Sequence, residues 1–157
     1  MSNYADLLEE GTQLARMGNN LEPALLRFQA AQALAPEGRS EAWSNAGIIL
    51  ERLGRTQEAI DCFREATRRD DTSLIAWENF AYLQGKLDKT AGVFAWDDVL
   101  ERWPERASAW ANRGALLVVA GDQVEAEKSY RRALELDQAL DVVRAALRDL
   151  EQRHGDD

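Results

Sequence analysis

Cysteine and histidine are almost missing from this sequence. Cys62 is the only cysteine, so no internal disulfide can form. His154 is the only histidine, and it stands within the last four residues of the chain. A Ser-His-Asp triad, a Cys-His dyad or a multi-histidine metal site would have to use that one ring on a segment, residues 154–157, expected to fray. No apolar run approaches the roughly 18 residues of a membrane span, so membrane insertion is not expected. The opening MSNYADLLEEG is acidic and lacks a basic stretch followed by an apolar one; no signal peptide is expected, and the default location is cytoplasmic. Gly-rich phosphate loops, dinucleotide fingerprints and paired metal-ligand spacings do not occur. Positive charge is also short. Nineteen Lys+Arg face 28 Asp+Glu, a net charge of −9, which repels a phosphate backbone and disfavours nucleic-acid binding. These absences lead to an expectation of no enzyme activity, no catalytic residue, no metal and no cofactor.

What is present is periodic. The chain has 157 residues, 45% hydrophobic and 30% charged, enough for a sizeable core in a folded chain. Trp43, Trp77 and Trp110 recur at intervals of 34 and 33 residues, in the contexts WSNAG, WENFA and WANRG. A small residue follows each tryptophan by four: Gly47, Ala81 and Gly114. Downstream, Leu50, Gly54, Ala59, Phe63 and Ala66 align with Leu117, Gly121, Ala126, Tyr130 and Ala133. A shorter, less regular copy carries Gly92, Trp96, Val99 and Pro104. An earlier one carries Leu7, Gly11, Leu14, Gly18, Ala24, Phe28, Ala31 and Pro36, with an extra residue in its NNLEPA turn. No stretch alternates with period two, so strands are not expected.

The spacing Trp43–Gly47–Leu50 runs i, i+4, i+7, one face of a helix, and Ala59–Phe63–Ala66 repeats it. Glycine inside a helix costs about 1 kcal/mol relative to alanine, so Gly47 and Gly114 need a packing reason. A large ring on the neighbouring helix lying over the small residue supplies one. Gly54 and Gly121 fall where the first helix of a pair must stop and turn. Trp96 and Trp103 read as packing residues, and Cys62, beside Phe63, as a buried or half-buried small hydrophobe and not a nucleophile.

This pattern resembles the tetratricopeptide repeat, a helix–turn–helix unit of 34 residues, over residues 4 to about 140. The resemblance implies an all-α fold, a right-handed α-solenoid of antiparallel helix pairs. Residues 1–157 would form a single array with repeats at about 4–39, 40–73, 74–106 and 107–140. A capping helix at about 141–153 would cover the last apolar face through Val143, Leu147 and Leu150.

The resemblance further implies a concave groove lined by the first helix of each repeat. Carried over by position, the candidate peptide-binding residues are Asn45, Ile48, Arg52, Ile75, Glu78, Asn79, Tyr82, Lys86, Asn112, Ala115, Val118 and Val119, with Leu8, Thr12 and Arg16 in the first repeat. Asn45, Asn79 and Asn112 each follow a tryptophan by two and could grip a peptide backbone or cap local polar groups. Val118 and Val119 could face the groove or pack under the capping helix. The Lys/Asn/Arg set with which some family members hold a terminal carboxylate is missing, because Leu8, Thr12, Ser44 and Ile48 stand at its positions. Groove positions mix Glu41, Glu51 and Glu78 with Arg16, Arg52 and Lys86, so the −9 charge says little about a partner there. The expected function is a non-enzymatic adaptor, scaffold or co-chaperone-like module holding a protein or peptide partner in the groove. The alternative is a homo-oligomer whose groove or open end packs on another copy.

Overall fold

The computed structural model describes residues 2–18 and 20–155. Among them the chain is helical throughout: α1 Tyr4–Arg16, α2 Leu21–Leu34, α3 Glu41–Arg52, α4 Thr56–Arg69, α5 Leu74–Leu87, α6 Lys89–Arg102, α7 Ala107–Ala120, α8 Gln123–Leu136 and α9 Asp141–Gly155. No strand occurs among the described residues. α9 runs two residues past its expected end. Residues 156 and 157, assigned from the sequence to a fraying terminus, lie outside the described residues, as does Asn19 in the NNLEPA turn. The helices form a tetratricopeptide-type α-solenoid of successive pairs. They divide into two compact units, Met1–Phe80 and Ala81–Asp157, with the boundary inside α5.

Local chemistry places the helix ends. Asn3 opens α1 with a reciprocal capping box, its side chain accepting from the Asp6 N–H at 3.0 Å while Asp6 accepts from the Asn3 N–H at 3.1 Å. Asp88 and Asp122 cap α6 and α8 through the N–H groups of Ala91 and Glu125. α7 stops at Gly121, whose φ of +87° is left-handed backbone that a side chain would strain.

In the first unit, α1 packs on α2, α3 on α4, and α2 on α3. The small residues expected mid-helix sit under rings. A Cβ added at Gly11 would come within 2.6 Å of the Phe28 ring, and one at Gly47 within 2.8 Å of Phe63. Both phenylalanines are fully buried. Leu7, Ala31 and Ala42 form a further apolar cluster with Tyr4, Leu8 and Trp43 around it. The Tyr4 hydroxyl donates to Glu41 at 3.0 Å, and burial followed by that carboxylate pushes its pKa up to about 12.

In the second unit, α7 packs on α8, α6 on α7 and α8 on α9. Gly114 lies against the Tyr130 ring as Gly47 lies against Phe63. The α5–α6 crossing is different in kind: a Cβ at Gly92 would stand 2.3 Å from the Gly85 Cα, so here backbone meets backbone. Trp96, at the ring position of α6, is buried. Leu117, Tyr130 and Ala133 make one cluster with Val143, Leu147 and Leu150 of α9, so the last helix covers the apolar face of the last pair.

Candidate functional site

Each unit carries a shallow cleft on its first helices, and the two differ in chemistry. In the first unit Thr12, Arg16, Asn45, Ile48 and Arg52 line a cleft of about 300 Å³ over a floor of Phe28 and Ile49. The alternation along α1 and α3 explains the arrangement. The face that buries Leu7, Gly11, Ala46 and Leu50 turns Thr12, Arg16, Ile48 and Arg52 outward one step around the helix. Thr12 donates its hydroxyl to the Leu8 carbonyl at 2.8 Å, which leaves Asn45 and the two arginines as the polar groups toward a ligand.

In the second unit Tyr82, Lys86, Asn112, Ala115 and Val119 line a cleft of about 240 Å³ over Trp96, Leu116 and Gly85. Tyr82 is 50% and Val119 63% exposed, and the Lys86 ammonium lies 5.4 Å from the Tyr82 ring centre. The paired valines part company. Val118 packs against the cluster made with α9, whereas Val119 faces the cleft.

Ile75, Glu78 and Asn79 line neither cleft. Ile75 is 63% exposed on α5, and the Asn79 amide donates to the Ile75 carbonyl at 2.8 Å, a local bond within the helix. The three asparagines therefore do not act alike: Asn45 and Asn112 reach clefts while Asn79 serves its own helix turn. Two groove-register carboxylates are engaged or set apart. Glu41 accepts from Tyr4 and Arg39. Burial pushes its carboxyl up, but hydrogen bonds from its own N–H, Arg39 and Tyr4 outweigh that and hold it below the usual range. Glu51 stands outside both clefts.

A larger cavity of about 500 Å³ between α6, α7 and α8 has no counterpart in the sequence reading. Its centre is Arg113, only 15% exposed. Arg113 donates from Nε to Asp97 at 2.6 Å and from Nη1 to the Ser129 hydroxyl at 2.7 Å, and Ser129 donates onward to the Glu125 carbonyl at 2.8 Å. Lys128 bonds Glu125 at 2.7 Å and holds its carboxyl below the usual range, while Arg132 bonds Glu135 at 2.9 Å. The cations at this cavity each have a carboxylate, so the network closes on itself. The one available signal is that Asp97 and Arg113, and Arg113 and Ser129, are each 16 residues apart.

Cys62 is half-buried, and burial pushes its thiol up, away from a reactive thiolate. No group of three or more His, Cys, Asp or Glu able to hold a metal ion occurs among the described residues. None of the described helices is long and apolar enough to cross a membrane.

Comparison with known proteins agrees with this geometry. Two models described as tetratricopeptide repeat match, one at residues 40–73 and the other at residues 84–149. No curated protein matches the chain in sequence. Among solved structures, a tetratricopeptide repeat protein from Parabacteroides merdae superposes with a TM-score of 0.88 at 24% identity; the match covers 98% of this chain but 60% of that one. MamA from Desulfovibrio magneticus RS-1 superposes at 0.84 with 19% identity, covering 99% and 88% of the two chains. The first repeat domain of Spaghetti (RPAP3), bound to the HSP90 peptide SRMEEVD, superposes at 0.70 with 21% identity, covering 77% and 97%. At these identities the likeness is one of fold. With the repeat register, the ring-over-glycine packing and two family matches in hand, the chain belongs to the tetratricopeptide repeat family.

Proposed function

We propose that this protein is a non-enzymatic interaction module that holds a peptide or helix of a protein partner on the first-helix clefts of its units. The observation that carries the reading is the second-unit cleft. Tyr82 and Val119 keep large apolar surfaces exposed beside Asn112 and Lys86, while the face one step around α7 is buried. Apolar surface held at the rim of a rigid helical frame, next to a few polar groups, is the make-up of a peptide site. That Spaghetti (RPAP3) is seen with a bound peptide supports the general mode.

The test is a pair of substitutions read against helicity. Tyr82→Ala with Val119→Glu removes the apolar rim and leaves the helical circular dichroism unchanged. On an array of random 12-residue peptides, the double variant loses the peptides that the native chain retains. Retention of all of them by the variant refutes the assignment. A second copy of the chain as occupant is the competing outcome: an array that retains nothing, with a sedimentation coefficient that rises with concentration and falls back in the variant, establishes it.

A further inference from the structure

We infer that the first-unit cleft takes an acidic segment of its peptide partner, with carboxylate side chains held between Arg16 and Arg52. The inference rests on the peptide-binding reading above and adds the chemistry of the partner. The first observation is pairing. Most arginines elsewhere in the chain are engaged, among them Arg27 with Glu10, Arg55 with Glu58, Arg64 with Asp61, Arg68 and Arg69 with Glu65, and Arg113 with Asp97; Arg148 of α9 is an exposed exception that lines neither cleft. Arg16 and Arg52 line one cleft whose walls hold no carboxylate, and among the described residues no acidic side chain pairs with either. In a chain with 28 acidic residues and a net charge of −9, two such cations side by side are a selective feature.

Helix ends do not account for them. Arg16 stands in the last turn of α1 and Arg52 in the last turn of α3, and Arg52 Nη1 lies 3.5 Å from the Ala15 carbonyl. Each helix C-terminus offers about −0.5 of a charge, so two of them offset about one of the two guanidinium charges. About one positive charge is left over in the cleft. Guanidinium groups pair with carboxylates through two parallel hydrogen bonds. Between the arginines, Ile48 and the Phe28 and Ile49 floor offer apolar contact, and Asn45 offers an amide. The complementary occupant is an extended peptide in which Asp or Glu stands beside an apolar residue. Two cations on an acidic body release too few counterions to hold a nucleic acid.

The experiment compares the full-length native chain with the Arg16→Gln, Arg52→Gln double variant on the same random 12-residue array, followed by anisotropy titration of the best binders. Both arginines are exposed and unpaired with carboxylates, so the variant keeps its helicity, checked by circular dichroism. The expected result is enrichment of Asp and Glu among retained peptides, at least tenfold weaker binding of those peptides to the variant, and weaker binding to the native chain as salt is raised. Retained peptides without acidic enrichment, or held equally by the variant, overturn this inference and leave peptide binding standing. An array that retains nothing overturns the peptide reading and this one together. Binding of a single-stranded oligonucleotide that the double variant loses also overturns it in favour of a phosphate ligand.

Discussion

The clefts of the two units occupy the same helix register and are furnished differently. Arg16 and Arg52 hold the outward position in the last turns of α1 and α3; Lys86 holds it in α5 and Val119 in α7, so a second arginine in one cleft is matched by a valine in the other. The inner register follows the same logic. The residue three after the repeat tryptophan meets the one that follows the ring of the preceding helix. In the first unit that pair is Phe80 with Arg64, the guanidinium 5.7 Å from the ring centre. In the second unit it is Arg113 with Asp97, an ion pair at 2.6 Å. At the glycine positions the crossing is small-against-ring (Gly11, Gly47, Gly114) or backbone-against-backbone (Gly92), while positions one step outward differ between the units without disturbing that frame. The two units are therefore comparable in packing and separable in chemistry, and substitutions can test both halves of that statement.

The largest effect is expected where the packing of the units differs most. At Gly92 an added Cβ meets the Gly85 backbone at 2.3 Å and the Leu116 methyl at 2.6 Å. Backbone cannot swing aside, so Gly92→Ala should cost about 3 kcal/mol or more. In the first unit, Gly47→Ala meets the edge of the Phe63 ring at 2.8 Å. The ring can shift by some tenths of an ångström, and the substitution recovers about 1 kcal/mol of helix propensity, leaving a cost of about 0–2 kcal/mol. Urea unfolding of both variants checks the order. Equal midpoints would show that the α5–α6 crossing is no tighter than a glycine–ring contact.

Next in size is a contrast inside the second unit. Val118→Glu places a carboxylate in the cluster formed with Val143, Leu147 and Leu150, and should cost about 2 kcal/mol or more. Val119→Glu sits on a 63% exposed position and should stay within about 0.5 kcal/mol of the native chain while losing cleft-dependent binding. Thermal unfolding beside peptide titration separates the two. A destabilised Val119→Glu would mean that the cleft wall belongs to the core.

These neighbours also show where the sequence is readable and where it stops. The ring-over-glycine pairs were legible, because a glycine in mid-helix and an aromatic at the matching place in the next helix have one economical explanation, and Gly47 with Phe63 and Gly114 with Tyr130 meet as that explanation requires. Gly92 stands in a less regular copy at the place that Ala59 and Ala126 hold in the others; its meaning needs Gly85, seven residues earlier and outside the repeat register. Val118 and Val119 look alike in sequence, and successive helical residues point about 100° apart. The angle at which α9 crosses decides which is covered, and periodicity does not contain that angle. Arg113 was invisible for a similar reason. Its register position holds Ala46 in α3 and Phe80 in α5, so a guanidinium there reads as solvated until Asp97 and Ser129 arrive from two other helices.

That position gives the third test. Arg113→Met removes two charge-assisted hydrogen bonds from a largely buried group and leaves Asp97 without its partner, a cost of about 1.5–3 kcal/mol. Arg64→Met removes an exposed cation–π contact and an exposed pair with Asp61, about 0.5–1 kcal/mol. Chemical denaturation of each variant measures the gap, and a gap of zero would mean that the Asp97–Arg113–Ser129 network contributes no more than a surface contact.

The smallest expected effect is a difference in acid sensitivity. In the first unit, three carboxyls titrate below their usual range. For Glu41, burial acts the other way and is outweighed by its own N–H, Arg39 and Tyr4. For Glu58 the main cause is Arg55, and for Glu65 it is Arg68 and then Arg69. In the second unit, Glu125, held down chiefly by Lys128, shows the same direction. A carboxyl with a lowered folded-state pKa adds stability that is fully present above its unfolded pKa, about 4.3, and is lost as pH falls through the folded value. Acidification from neutral pH should therefore loosen the first unit before the second. The side chains of all four groups stay partly open to solvent, from 29% for Glu65 to 55% for Glu58, so each contribution is reduced by screening. Amide signals followed by nuclear magnetic resonance from pH 7 downward should broaden or shift first around α3 and α4, where Glu41, Glu58 and Glu65 sit, and later around α8. Simultaneous loss in both units would show that shared helical packing, and not these local ion pairs, sets the acid limit of the fold.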